Sequence, residues 1–126
     1  MVTSVKIYLK TRSGKWVLIS SKIEHVVVKG KKRSTRYILA GESTDPPGYT
    51  TIKKVLELPA STTTKLILAL LDKKREKLVV VIEPKSESHY SVKVVEGEPS
   101  IIDTIIKEIT VKSREKSSSE TGIKSQ

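Results

Sequence analysis

Five consecutive apolar residues, Leu78-Val79-Val80-Val81-Ile82, constrain this chain more than any other stretch. Four of the five are β-branched, which suits a strand better than a helix. With no polar alternation, that strand must be covered on both faces. The rest of the sequence has to supply the neighbouring strands and the cover.

Several strands are readable. Val5-Lys6-Ile7-Tyr8-Leu9-Lys10-Thr11-Arg12 alternates strictly, Ser13-Gly14 is a turn signal, and Lys15 to Ser20 returns as the second strand of a hairpin. A two-residue loop sets Arg12 opposite Lys15. That register predicts a core face of Val5, Ile7, Leu9, Thr11, Trp16 and Leu18. It predicts an outer face of Lys6, Tyr8, Lys10, Arg12, Lys15, Val17 and Ile19. A bend or bulge is expected near Ser20-Ser21, followed by Ile23 to Val28, a Gly30 turn, and a third strand at Tyr37 to Ala40. Thr44-Asp45-Pro46-Pro47-Gly48 is a loop. Thr50 to Leu58 fits a helical face through Ile52, Val55 and Leu56, or a strand face through Ile52, Lys54, Leu56 and Leu58. The strand, ended by Pro59, is preferred.

Ser61 is placed to cap a helix running to about Glu76 around the block Leu66 to Leu71, with Asp72 to Lys77 as its charged exit. After the Leu78–Ile82 run, a polar connection leads to the alternating segment Tyr90 to Val95. Pro99 then opens a second helix. Ile101, Ile102, Ile105, Ile106 and Ile109 form one stripe, with Asp103 and Lys107 as an i,i+4 pair on the outer side. The stripe suits either a dimer surface or the face that packs on a sheet, and its one-sidedness favours the sheet. A homodimer that pairs sheet edges stays open. The expected fold is α+β: a mostly antiparallel sheet of five to six strands with two helices, in rough order ββββ-α-ββ-α. The domain spans residues 1–112, and the polar residues 113–126 are expected to be a disordered tail. At the level of element order alone, ββββ-α resembles single-stranded nucleic-acid binders of the Whirly and coactivator kind.

Charge is distributed unevenly. The formal net charge is +10, yet residues 1–40 hold ten bases against one acid, Glu24. The chain has no Asn, one Gln at its end and one Met at its start. That depletion, with abundant Lys, Glu, Ile and Val, points to a hyperthermophilic source, archaeal or archaeal-viral. Heat adaptation enriches Glu together with Lys, so it explains the lysines in part and does not alone account for the basic segment. With no Cys, disulfides, thiolate metal sites and cysteine nucleophiles are excluded. No apolar run approaches a membrane span and the start lacks a signal-peptide core, which leads to the expectation of a soluble cytoplasmic protein.

Lys29, Lys31, Lys32, Arg33 and Arg36 put five cations within eight residues, a concentration that suits the release of counterions from a nucleic-acid backbone. The bland reading is a solvated turn whose lysines protect a sheet edge. Lys6, Lys10, Arg12 and Lys15 would extend the track, with Tyr8 and Tyr37 stacking on bases. Trp16 is assigned to the core. Alternatively, Tyr8, Val17 and Ile19 lie under a helix with the lysine ends snorkelling out. Lysines outnumber arginines nineteen to five and the body of the chain has no Asn or Gln, so little base discrimination is expected.

His25 and His89 are the only histidines and neither belongs to a metal-ligand or acid–base motif. No glycine-rich phosphate loop or nucleophile elbow occurs. No catalytic residue, metal or cofactor is assigned. The expectation is a non-enzymatic binder of DNA or RNA, weakly favouring single strands. The rival reading is a protein-interaction or structural module whose basic patch meets an acidic partner.

Overall fold

The computed structural model describes residues 5–73 and 75–111. Its element order is β1 (Val5–Lys10), β2 (Trp16–Lys29), β3 (Lys32–Ser43), β4 (Lys54–Pro59), α1 (Ala60–Leu71), β5 (Leu78–Pro84), β6 (His89–Gly97) and α2 (100–111). The six strands form one sheet in the order β3-β2-β1-β5-β6-β4. Every neighbouring pair is antiparallel except β1 with β5. The α+β architecture and the ββββ-α-ββ-α order are those expected. The expected tail at 113–126 lies outside the described residues.

The Leu78–Ile82 run sits at the centre of the sheet as β5, and all five residues are buried. Its alternate residues enter two different environments. Leu78, Val80 and Ile82 join Val5, Ile7, Ile19, Val92 and Val94 beneath Leu66, Ile67 and Leu70 of α1 and Ile102 and Ile105 of α2. Both helices therefore cover the same face. Val79 and Val81 point the other way and cluster with Tyr8, flanked by Trp16, Leu18 and Val95. Each fully buried Leu, Ile or Val stabilises the fold by roughly 1.5–3 kcal/mol, so the helix-covered layer dominates.

The first hairpin differs from its expected register. Tyr8 pairs with Leu18 and Lys10 with Trp16, one residue away from the two-residue-loop alignment. Thr11 leaves the strand and joins the turn: the Gly14 N–H donates to the Thr11 carbonyl at 2.9 Å, and the Thr11 N–H donates to the Lys15 carbonyl at 2.7 Å. Gly14 adopts φ +91°, which completes a three-residue loop with a bulge at its glycine. The slip inverts the second strand. Val17 and Ile19 therefore face the helices with Val5, Ile7 and Leu9, while Trp16 and Leu18 share the opposite face with Tyr8.

Other local features follow their residues. The bulge expected at Ser20-Ser21 appears as a register shift between Ile19 and Ser21. β4 is a strand that turns Leu56 and Leu58 inward and ends on Pro59. α1 starts one residue before the expected cap and stops at Leu71, short of Glu76. Pro59 occupies the cap position and Ser61 makes no capping hydrogen bond. Asp103 does not pair with Lys107; its Oδ1 lies 3.0 Å from Lys54 Nζ, tying α2 to the edge strand β4.

If α2 is held by its inward isoleucines, Ile102→Ala should destabilise the protein by about 2–5 kcal/mol. The half-buried Ile101→Ala should cost clearly less. Urea unfolding of both variants measures the difference.

Candidate nucleic-acid interface

β1 pairs only with residues 16–19 of β2, whereas β2 and β3 stay paired from Val17↔Ser43 to Lys29↔Lys32. Beyond the bulge the two strands therefore run on as a ribbon with no third strand beside it, residues 21–40. At about 3.4 Å per residue the ribbon is roughly 27 Å long. Gly30, at φ +58°, takes the first position of the two-residue tip and Lys31 keeps a negative φ, as in a type II′ turn.

The ribbon carries the five clustered cations. Lys29, Lys31, Lys32, Arg33 and Arg36 are all exposed, and none of them enters an ion pair among the described residues. No acid occurs between His25 and Gly41. Lys29 lies directly opposite Lys32, a like-charge pair that works against the hairpin. Apolar side chains are interleaved with these charges. Five of the nine large apolar residues exposed among the described residues belong to this arm: Ile23, Val26, Val28, Tyr37 and Ile38. By alternation, Val26, Val28, Arg33 and Tyr37 continue the helix side of the sheet. Ile23, His25, Lys29, Lys32, Arg36 and Ile38 continue the helix-free side.

The arm is fastened at its base. Lys22 Nζ lies 3.0 Å from Asp72 Oδ1, just past the end of α1, and 5.1 Å from the centre of the Tyr37 ring. The hydrogen bond to Asp72 raises the Lys22 pKa above its ordinary value; burial opposes it, and the carboxylate's charge adds a smaller raising effect.

The remaining residues expected to bind do not extend this patch. Lys6 is exposed on β1, but Tyr8 is only 6% exposed and has no ring face to offer a base. Lys10 is half-buried, with its Nζ 5.8 Å from the centre of the Trp16 ring. Arg12 lies 4.8 Å over Tyr90 and donates from Nη1 to the Ser86 carbonyl at 2.7 Å. Lys15 is exposed in the first turn, roughly 45 Å along β2 from Lys29. Acids also interrupt the helix-free face of the body: Glu42 is opposite Leu18, and Glu83 Oε1 lies 3.9 Å from Lys93 Nζ. The expected pair of basic objects thus resolves into one cationic arm and a body of mixed charge. The mismatch between the eight-residue alternating run 5–12 and the longer strand-compatible stretch 16–29 was the available sign of an arm.

His25 is exposed on the arm opposite Arg36. His89 Nδ1 shares a 2.8 Å hydrogen bond with the adjacent Ser88 Oγ, and among the described residues no carboxylate orients its ring. No group of three His, Asp or Glu side chains able to hold a metal occurs among the described residues. A shallow cleft of about 180 Å³ beside α2 is lined by Lys73, Glu76, Ser100, Ile101, Thr104 and Ile105, with Glu76 as its only carboxylate. No described helix is long and apolar enough to cross a membrane.

Two measurements test this assignment. Tyr8→Leu removes the aromatic ring, so nucleic-acid affinity by fluorescence anisotropy should change less than two-fold. Asp72→Asn should cost only a few tenths of a kcal/mol, because the Lys22 pair is solvent-screened. A raised folded pKa gives stability that is present below the unfolded value of about 10.4 and lost as pH rises through the folded one. The thermal-stability gap between wild type and Asp72→Asn should therefore hold from pH 7 to 10 and close at higher pH. No family model, curated protein or solved structure matches this chain, so the role of the arm has to be read from its own charge, shape and exposure.

Proposed function

We propose that this chain is a non-enzymatic nucleic-acid-binding accessory protein that grips phosphates through the β2–β3 arm with little sequence discrimination. The observation that carries this reading is the outer part of the ribbon, residues 25–40, which holds no acid and whose Lys29, Lys31, Lys32, Arg33 and Arg36 enter no ion pair among the described residues. Solvated cations on a projecting element can approach a polyanion without the body colliding with it, and counterion release supplies the free energy. The like-charge pair at Lys29 and Lys32 weakens the free hairpin and is relieved when phosphates arrive. Lysine dominates over arginine and no Asn or Gln is available in the arm, which favours backbone contact over base reading. The composition supports a hyperthermophilic source, with the cytoplasm as the working compartment.

A second reading is an interaction module for an acidic protein surface. It draws on the exposed Ile23, Val26, Val28 and Ile38, which suit a protein partner as well.

Anisotropy titrations at two or more salt concentrations separate the two. The nucleic-acid reading expects affinity to fall steeply with salt. A Lys31→Ala/Lys32→Ala/Arg33→Ala variant should lower the log–log slope by about 2 to 3, one for each lost phosphate contact. Polyglutamate that competes as well as DNA at equal charge would favour the acidic-protein reading, and no binding at low salt would end the nucleic-acid reading.

A further inference from the structure

We infer that the ligand of the arm is a B-form DNA duplex, with the β2–β3 ribbon inserted into its major groove. This inference rests on the nucleic-acid reading above and goes further by naming the form of nucleic acid and the mode of entry.

The first argument is that, among the described residues, the aromatic rings on the body's strands form no single-strand platform, its one exposed ring being Tyr49 in the loop before β4. Bases of a single strand need exposed aromatic faces laid along a basic groove. Tyr8 is buried at 6% exposure, Trp16 is half-buried beneath the Lys10 ammonium, and the ring of Tyr90 is taken by Arg12. Acids also break the charge of that face at Glu42 and Glu83.

The second argument is that the arm is furnished on both faces. Arg33, with Val26, Val28 and Tyr37, looks to one side, which also holds the ribbon's one acid, Glu24, opposite Tyr37 near the base; Lys29, Lys32 and Arg36, with Ile23 and Ile38, look to the other. A single strand lying along a ribbon covers one face and leaves the other apolar set in water. A groove has two phosphate walls and a floor of polar base edges and thymine methyl groups, so the face that carries Val26 and Val28 can lie on the floor while the long Lys and Arg side chains of the other face reach the walls. The major groove of B-form DNA, about 12 Å wide, admits a two-stranded ribbon, and thymine methyl groups on its floor give valine side chains something to contact. The minor groove, about 6 Å wide, takes a ribbon only when the duplex is bent and the groove widened, at a deformation cost that the major groove does not impose. In an A-form RNA duplex the major groove is deep and narrow and closed to side chains. The charge of the arm is complementary to this occupant, and its length of roughly 27 Å spans several base pairs.

The test compares a 20-base-pair DNA duplex, one of its single strands and an RNA duplex of the same sequence by anisotropy at one salt concentration. Duplex DNA should bind at least ten-fold more tightly than either of the others. A Val26→Thr/Val28→Thr variant keeps β-branched side chains at both exposed positions. It should weaken duplex DNA binding about three- to ten-fold and leave single-strand binding unchanged, with circular dichroism and melting temperature as the folding control. Equal affinity for all three ligands, or a preference for the single strand or the RNA duplex, overturns groove entry and leaves the phosphate grip standing. An unchanged duplex affinity in the valine variant also overturns it. No binding to any of the three overturns both readings.

Discussion

The parallel pairing of β1 with β5 joins two half-sheets that share no other strand pairing. On one side stand β3, β2 and β1, contiguous in sequence; on the other stand β5, β6 and β4. Five residue pairs, from Val5↔Leu78 to Leu9↔Ile82, close that seam. Its alternate residues on the helix side, Val5, Ile7, Leu78, Val80 and Ile82, are almost wholly removed from solvent. Helix α1 braces the seam, since it touches β1 and β2 on one half and β4 and β6 on the other. Burial across the seam thus couples the N-terminal hairpins to the rest of the molecule.

The arm depends on this arrangement at one remove. β2 pairs with β1 through only four residue pairs, and past the bulge the arm is tied to the body by the packing of Leu39 on the core and by the Lys22–Asp72 contact. A two-stranded ribbon alone is marginal in water, so the firm anchoring of its first residues is what keeps the direction of the arm defined. The body contributes rigidity and the arm contributes charge. Separating the two lets the cations avoid the low-dielectric core and stay solvated.

Elements whose chemistry admits one solution were legible in the sequence. Leu78–Ile82 has no polar residue to give water, the isoleucine stripe has one face, and Pro59 cannot continue a central strand. The first hairpin was not legible in detail because Thr11-Arg12-Ser13-Gly14-Lys15 supports either a two-residue or a three-residue loop. The choice depended on whether Gly14 adopts a positive φ, a preference too small to read without the packing of Val17 and Ile19. The same ambiguity hid the burial of Tyr8, whose neighbours Trp16 and Leu18 had been assigned to the other face. In the arm, the cations were visible from composition, but their isolation from the body follows from where β1 stops. No residue in β2 announces that boundary.

The bulge between Ile19 and Ser21 breaks the phase between the body and the arm. Side chains up to Ile19 obey the alternation required by the core, while those beyond it obey a second alternation offset by one residue. Changes in arm length need not disturb the sheet, but they are restricted by parity. Adding one residue to each strand would rotate Lys29, Lys32 and Arg36 to the side now held by Val26 and Val28. Adding two to each would restore them. Variants of this chain that reach farther or less far should therefore differ by even steps per strand, with the tip glycine carried along unchanged.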